Sequence, residues 1–440
     1  MSKAGKSKAG KSNAGKSKAG KSTGKEVLLS FEEAAALVAA WAAEQAAEPA
    51  TERVELTSLQ ARVLAEPLKA DADQPPFARS TRDGYACRAA QANKGAWLKL
   101  AGSTHAGQSP GGPLPAGAAW EIMTGAAVPK GADAVAMLEH VERAGERVRL
   151  EKSRGLEAGE NVVARGAQAR AGAVLLEPGT AMGAAQIALA AACGMGTAQV
   201  YRRPRVAILT TGDELVAVDA KPGPGQIRNS NAPMLAAMVR AAGGEPWVLP
   251  RAADTAAALD RALEGVLAGP AGVRMLLVSG GVSAGKFDLV EPALKRHGAK
   301  FHFTGVRMQP GRPLVFGELP SEEPDGVAFF GLPGNPVSSA VTFLLFGATV
   351  LGALAGRREA GPRFAMARLT EAVKTKPGLT RFLPALWNWN PAGGGEPEVK
   401  PVHWHGSGDQ AALARSNCFV VTPETADGLK AAAMVRILLA

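Results

Sequence analysis

The spacing of apolar and polar positions changes several times along the chain, and each change marks a different kind of element. Residues 31–47 set Phe31, Ala35, Leu37, Val38 and Trp41 near helical spacing, which predicts an amphipathic helix. Residues 71–82 are rich in turn formers around Pro75-Pro76. Between about 95 and 175, short apolar runs at 118–123, 134–138 and 147–150 are punctuated by glycine and proline, the texture of an all-β module. From Arg203 strands and helices alternate, with strands at 206–209, 245–249 and 275–278 and helices at 231–242, 256–267 and 289–296. Repeated βα units of this kind predict a parallel sheet covered on both faces. Past Arg357 the signal is β again, at 364–369, 382–389, 418–421 and 434–439. The expected class is multidomain α/β and β: an α/β core with a parallel-type sheet, a β-rich front half and a small β C-terminal domain.

One apolar stretch raises the question of a membrane. Residues 327–356 carry no charge. Spanning takes about 20 consecutive apolar residues, and the run Gly331–Pro336 together with Ser338-Ser339 interrupts this stretch. A buried helix starting near Pro336, with Asn335 as its cap, is the expected structure.

Composition narrows the function. The 440 residues predict about three domains. Aromatic residues make up 5%, too few for a nucleic-acid reader built on stacking platforms. Cys87, Cys193 and Cys418 cannot make a disulfide framework and lack metal-ligand spacing, which points to a reducing cytoplasm. The net charge of +10 is local: Lys3, Lys6, Lys8, Lys11, Lys16, Lys18, Lys21 and Lys25 precede any acid, leaving 10 − 8 = +2 for the rest. This Ser-Lys-Ala-Gly tail has no apolar anchor and is expected to be disordered, with at most a weak, salt-sensitive attraction to polyanions. No apolar h-region follows the lysines, so no secretory signal is expected.

The candidate chemistry lies where the α/β strands end, the edge at which such sheets bind ligands. The 206–209 strand runs into Thr210-Thr211-Gly212-Asp213-Glu214, and the 275–278 strand into Ser279-Gly280-Gly281-Val282-Ser283-Ala284-Gly285-Lys286-Phe287-Asp288. Glycines let backbone N–H groups approach an anion, and hydroxyls add donors. Neither a P-loop nor a dinucleotide fingerprint is present. Glu214, Asp254 and Asp288 all follow predicted strands of one sheet and can converge on Mg²⁺ beside phosphates. For Asp254 the competing role is to cap the helix that follows. Arg307 and Arg312, flanking Gln309-Pro310-Gly311, are candidate cations for an oxyanion.

Several motifs in order give the chain a family likeness. They are Pro75-Pro76-Phe77 with Asp83-Gly84-Tyr85-Ala86, Met123-Thr124-Gly125-Ala126 with Gly131-Ala132-Asp133-Ala134-Val135, Thr211-Gly212-Asp213-Glu214-Leu215, Ser279–Gly285, and Gly331-Leu332-Pro333-Gly334-Asn335-Pro336-Val337-Ser338. Over residues 27–440 the sequence resembles the molybdopterin molybdenumtransferases, to which the E domain of gephyrin is related. The resemblance implies an elongated, four-domain homodimer with sites completed across subunits. It also implies insertion of molybdate into adenylylated molybdopterin with release of AMP, assisted by Mg²⁺. It assigns catalytic roles to Asp83, Thr124, Glu214 and Asp288, metal binding to Glu214, Asp254 and Asp288, and ligand binding to Gly280, Gly281, Ser283, Gly285, Arg312, Pro333, Gly334, Asn335, Pro336, Ser338 and Ser407. The implied division is a tail (1–26), a molybdopterin-binding core (27–50 with 202–356), a linker and dimerisation domain (51–70 with 172–201), a β-rich domain (71–171) and a C-terminal domain (357–440).

The chain also departs from the family's runs. Arg82 stands for the usual Met, Gln309 for the first Lys of Lys-Pro-Gly-Lys-Pro, and Ala167-Gln168 for the acids of Arg-Gly-Glu-Asp. Gly378-Leu379-Thr380-Arg381-Phe382 replaces Gly-Arg-x-Glu-Phe. Two other functions compete. Molybdopterin adenylyltransferases resemble residues 202–356 alone, and a non-catalytic dimeric scaffold or polyanion binder would need no cleft. No membrane and no specific nucleic acid is expected as a partner.

Overall fold

The computed structural model describes residues 28–44, 49–270, 272–281, 289–320, 326–389 and 395–440. The lysine tail and the 282–288 loop, which carries Ser283, Gly285 and Asp288, lie outside the described residues.

The central sheet is built on strands that read as unbroken apolar runs because both of their faces are buried. Its order is Glu245–Val248, Arg205–Thr210, Val273–Ser279, Val327–Leu332, Val315–Leu319, Lys300–Phe303. The first four strands are parallel. Val315–Leu319 then pairs antiparallel on both sides, with Val327–Leu332 and with the edge strand Lys300–Phe303, so the sheet is of parallel type with one reversed strand. The cause is the connection length: residues 320–326 are too few for a crossover helix, so the chain must fold straight back.

Alternation along the strands sorts the two cores. Val206, Ile208, Met275 and Leu277 face one side, where they meet Phe31, Val38 and Trp41 of the helix Phe31–Glu44, Leu235 and Val239 of Asn231–Ala241, and Phe343, Phe346 and Leu351 of the long helix 336–354. Ala207, Leu209, Leu276 and Val278 face the other, against Leu259 and Leu263 of Ala256–Leu267 and Ala293 and Leu294 of Val290–Arg296. Each Val, Leu, Ile, Met or Phe among them contributes about 1.5–3 kcal/mol on full burial. In the first helix Ala34 is buried, whereas Ala35 and Leu37, expected on the core face, are only half-buried.

The helix 336–354 is long and apolar enough to cross a membrane by those criteria, but 89% of its most apolar window is buried inside the protein. A single π-turn at Phe343–Gly347 interrupts it. Pro336 opens it as predicted, and Asn335 occupies the cap position without a capping side-chain bond.

The remaining β structure forms separate cores. A six-stranded sheet between Gly84 and Leu150 holds Tyr85, Ala119 and Val148 on one face and Trp120, Ile122 and Val135 on the other. Strand Thr51–Glu55 pairs antiparallel with Thr197–Tyr201 beside the helix Ala184–Ala192, around Leu59, Leu64 and Met182. At the C-terminus, strands Thr380–Asn388, Glu398–Pro401, Phe364–Leu369, Met434–Leu439 and Cys418–Thr422 pair in that order, and the last pairs back with the first. The result is a closed five-stranded barrel with no free edge.

Candidate functional site

The order of the central sheet reverses beside the strand Arg205–Thr210. Its first crossover leads to Glu245–Val248 on one side, and the next leads to Val273–Ser279 on the other. Ligands of open α/β sheets bind in the crevice that this reversal leaves at the carboxyl ends. Here a cleft of about 940 Å³ occupies it, lined by the ends of three parallel strands, the head of the 231–241 helix and the turn that opens the 336–354 helix. A second compartment of about 400 Å³ adjoins it, and Pro313, Pro333 and Asn335 line both.

Hydrogen bonds between strand ends hold the floor in shape. Thr211 N–H donates to the Ser279 carbonyl at 3.1 Å, and Gly280 N–H to the Leu332 carbonyl at 3.2 Å. Gly280 has φ +100°, and a Cβ there would lie 2.4 Å from the Thr211 carbonyl oxygen, so the turn admits only glycine. Asp254 ties the neighbouring turn: its carboxylate accepts from the Thr211 hydroxyl and, at 3.1 Å, from Asp213 N–H. The cap of the helix from Ala256 is instead Thr255, whose hydroxyl accepts from Ala258 N–H. Glu214 is exposed on the cleft wall; its carbonyl accepts from Ile227 N–H at 2.8 Å, but its carboxylate accepts no hydrogen bond among the described residues. Its carboxylate lies over Gly212, where a Cβ would stand 2.7 Å from both oxygens.

Of the residues singled out from the sequence, Glu214, Asp254, Gly280, Gly281, Pro333, Gly334, Asn335 and Pro336 line the larger cleft. Arg312, Ser338 and Ser407 line the smaller one. Ser407 takes part through its backbone as well, its carbonyl accepting from Val337 N–H in the first turn of the long helix. Arg307 does not serve the cleft as expected. Its guanidinium is held by Glu424 at 2.9 Å and by the Leu28 carbonyl at 2.7 Å, fastening the barrel and the N-terminal strap to the core. Arg312 has an exposed side chain with no partner among the described residues.

Asp83 and Thr124 meet each other and line neither cleft. Thr124 donates to the Asp83 carboxylate from its backbone N–H at 2.6 Å and from its hydroxyl at 2.8 Å. These bonds hold the Asp83 carboxyl below its ordinary range.

Sequence reasoning missed a set of amides. Asn231 donates through Nδ2 to Ser279 Oγ at 2.9 Å and to the Gly334 carbonyl at 2.7 Å, joining two strand ends. Asn229 donates to Thr210 Oγ1 at 2.9 Å. Gln410, from the barrel, donates to Ser230 Oγ. The usable signal was the polar run Asn229-Ser230-Asn231 at the head of a predicted helix. All three cysteines are free and buried. Burial pushes the Cys87 and Cys418 thiols up to about 12, so neither offers a thiolate at neutral pH.

A doubly wound core with a glycine-floored, carboxylate-bearing cleft at its switch point, flanked by a β module and a closed barrel, defines a multidomain α/β protein. Comparison with known proteins makes the class specific. Residues 29–194 match the MoeA N-terminal region (domain I and II), residues 207–353 a probable molybdopterin binding domain, and residues 366–439 the MoeA C-terminal region (domain IV). The chain is 35% identical over 386 residues to the molybdopterin molybdenumtransferase of Nostoc sp., with 85% of each chain covered. To that of Bacillus subtilis it is 33% identical, covering 88% of this chain and 90% of the relative. A crystal structure of the molybdopterin biosynthesis MoeA protein from Pyrococcus horikoshii superposes with a TM-score of 0.76 at 27% identity, over 94% of this chain and 100% of the other. The chain belongs to the MoeA family of molybdopterin molybdenumtransferases, and it is an enzyme of molybdenum cofactor biosynthesis.

Proposed function

We propose that this enzyme inserts molybdate into adenylylated molybdopterin with release of AMP, that Mg²⁺ assists, and that the working form is a homodimer in the cytoplasm. The observation that carries the reading is the pair of adjoining compartments at the switch point. The larger has the volume and the backbone donors for a nucleotide-linked pyrophosphate, and the smaller suits a compact oxyanion.

The donor set fits a metal held mainly by substrate phosphates. Among the described residues no group of three His, Cys, Asp or Glu side chains gathers as a protein-only cation site. Mg²⁺ bound through phosphates needs only one or two carboxylates. Glu214, unpartnered on the wall, would hold it together with Asp288, while Asp254 keeps the Thr211–Asp213 turn in place beside them. When bound, the ion neutralises phosphate charge as the adenylate ester is cleaved. The chain's own part is to position the two substrates: the 279–281 turn and the Asn231 bridge fix the strand ends, and Arg312 with Ser338 and Ser407 orients the oxyanion.

The Asp83–Thr124 pair completes the site from the second copy of the chain. The test is incubation with adenylylated molybdopterin, following AMP. Release is expected only with both a divalent cation and molybdate or tungstate. Equal release in chelator, or adenylylation of free molybdopterin from ATP instead, would overturn the reading. Within this scheme Asp288→Asn should slow turnover strongly and recover in part at high Mg²⁺, and Ser283→Ala should weaken substrate binding. Full turnover of Asp288→Asn at low Mg²⁺ would remove the residue from the metal site.

A further inference from the structure

A turn at residues 402–409 joins the strand Glu398–Pro401 to the helix Gln410–Arg415. It reads Val402-His403-Trp404-His405-Gly406-Ser407-Gly408-Asp409. Trp404 is half-buried and packs on the core, whereas His403 and His405 on either side of it are exposed. The turn is tied down at several points. Val402 N–H donates to the Pro384 carbonyl at 2.9 Å, Val337 N–H to the Ser407 carbonyl at 3.0 Å, and Asp409 N–H to the Gly406 carbonyl at 3.0 Å. The backbone that carries the two imidazoles is therefore held in place without any ligand.

The two rings lie together, their centres 4.9 Å apart and their planes at 75°. Imidazoles that share one metal ion through bonds of about 2.0–2.1 Å, at an N–metal–N angle of about 90–110°, hold their centres about 4.5–5.2 Å apart. The observed spacing suits a shared ion, and exposed rings can turn about their side-chain bonds to aim their lone pairs. Asp409 stands behind one of them. Its carboxylate accepts from His405 N–H at 3.0 Å and from Ala412 N–H at 2.9 Å, and Oδ2 lies 3.5 Å from His405 Nδ1. A carboxylate on that side favours the proton on Nδ1 and leaves the Nε2 lone pair free, as behind many metal-bound histidines.

We propose that His403 and His405 bind one divalent transition-metal ion of the Zn²⁺ or Cu²⁺ class, and that Asp409 is the residue that positions His405. Imidazole nitrogen selects such ions over Mg²⁺, a hard cation that takes oxygen ligands. Among the described residues no third His, Cys, Asp or Glu completes a ligand set with the pair. Water therefore fills the remaining positions, and the site is open to exchange. It belongs to the C-terminal barrel and uses none of the groups assigned to the cleft, so it stands or falls apart from the proposed reaction.

The experiment titrates the full chain, without substrates and with the imidazoles neutral, with Zn²⁺ in a calorimeter and with Cu²⁺ followed by electron paramagnetic resonance. Mg²⁺ in excess is the comparison, and the variants are H403Q, H405Q, H403Q/H405Q and D409N. Wild type should take up one Zn²⁺ that excess Mg²⁺ does not displace, and its Cu²⁺ spectrum should show two nitrogen ligands. H403Q and H405Q should each weaken binding roughly a hundredfold or more and leave at most one nitrogen on Cu²⁺. D409N should weaken binding roughly tenfold. Its metal-free unfolding temperature should stay that of wild type, because Asn is also a good helix cap. D409N with wild-type affinity and a lowered unfolding temperature would make Asp409 a cap alone and overturn its positioning role. Zn²⁺ uptake that survives H403Q/H405Q would put the ion elsewhere and overturn the site. Wild type that binds neither Zn²⁺ nor Cu²⁺, or loses them to Mg²⁺, would overturn it as well.

Discussion

Glu214 and Asp254 share one cleft wall but differ in what already holds them. The Glu214 carboxylate has no hydrogen-bond partner among the described residues, whereas both carboxylate oxygens of Asp254 are engaged, by Thr211 and Asp213. Glu214→Gln should therefore leave the unfolding free energy, measured in urea, within about 0.5 kcal/mol of wild type while AMP release collapses. Asp254→Ala should cost about 1–2 kcal/mol of stability by freeing the turn, in addition to any loss of activity. Equal stability losses in the two variants would contradict this division. For Asp83 the sign is set by its donors. Its lowered pKa comes first from the Thr124 N–H and then from the Thr124 hydroxyl. Thr124→Val removes the second of these, so the Asp83 midpoint, read by carboxyl NMR, should rise toward the ordinary carboxylate range without reaching it. An unmoved midpoint would show that the hydroxyl bond does not form in solution.

At the scale of elements, the cleft depends on how closely strand ends approach. Gly280→Ala would add strain at φ +100° and a Cβ 2.4 Å from the Thr211 carbonyl oxygen. It should lower stability by about 1–3 kcal/mol and weaken substrate binding, measured by thermal unfolding and the adenylate KM. Retained affinity in a stable variant would mean that the turn can open without consequence. On the opposite edge, the N-terminal helix is joined to the antiparallel pair through Glu318. Trp41 Nε1 donates to it at 2.8 Å, and His302 and Lys300 flank it. Burial raises the Glu318 pKa, but these bonds and charges outweigh it and the net shift is downward. A depressed carboxylate pKa adds stability above the unfolded-state value and loses it as pH falls through the folded-state value. The stability advantage of wild type over Glu318→Gln should therefore be full near neutrality and narrow on acidification below about pH 4.5. A gap that stays constant with pH would remove the ionised form from the account.

At the scale of the whole molecule, the decisive fact is that the Asp83–Thr124 pair lines neither compartment of its own chain. In a symmetric dimer, one copy can supply this pair to the other's cleft. Asp83→Ala and Glu214→Ala should each be inactive alone. Mixed after subunit exchange, they should recover roughly a quarter of wild-type AMP release, since half the dimers are hybrids with one intact site. No recovery from exchanged dimers, or a monomeric mass in light scattering, would place the pair outside the reaction. Deleting residues 1–25 removes eight positive charges and none of the cleft. AMP release should then be unchanged at all salt concentrations, and a salt-dependent loss would give the tail a part in substrate capture.

Local pattern alone determined which segments are strands and helices in the core, because apolar period and helix starts are carried by neighbouring residues. The strands at 206–209 and 275–278, the helix opening at Pro336 and the barrel strands at 364–369 and 434–439 are found where the pattern put them. The same pattern placed Glu214, Asp254, Gly280 and Gly281 at strand ends, and the rule that α/β ligands bind there brought them to one cleft. Tertiary structure alone decided what depends on contacts between residues distant in sequence. The reversed strand at 315–319 follows from its short connection to 327–332. The capture of Arg307 by Glu424, the bridge of Asn231 to Ser279 and Gly334, and the pairing of Gln309 with Arg381 join separate elements. A side chain's charge and hydrogen-bonding capacity are written in its own identity, but which partner uses them is fixed only when the chain has closed on itself.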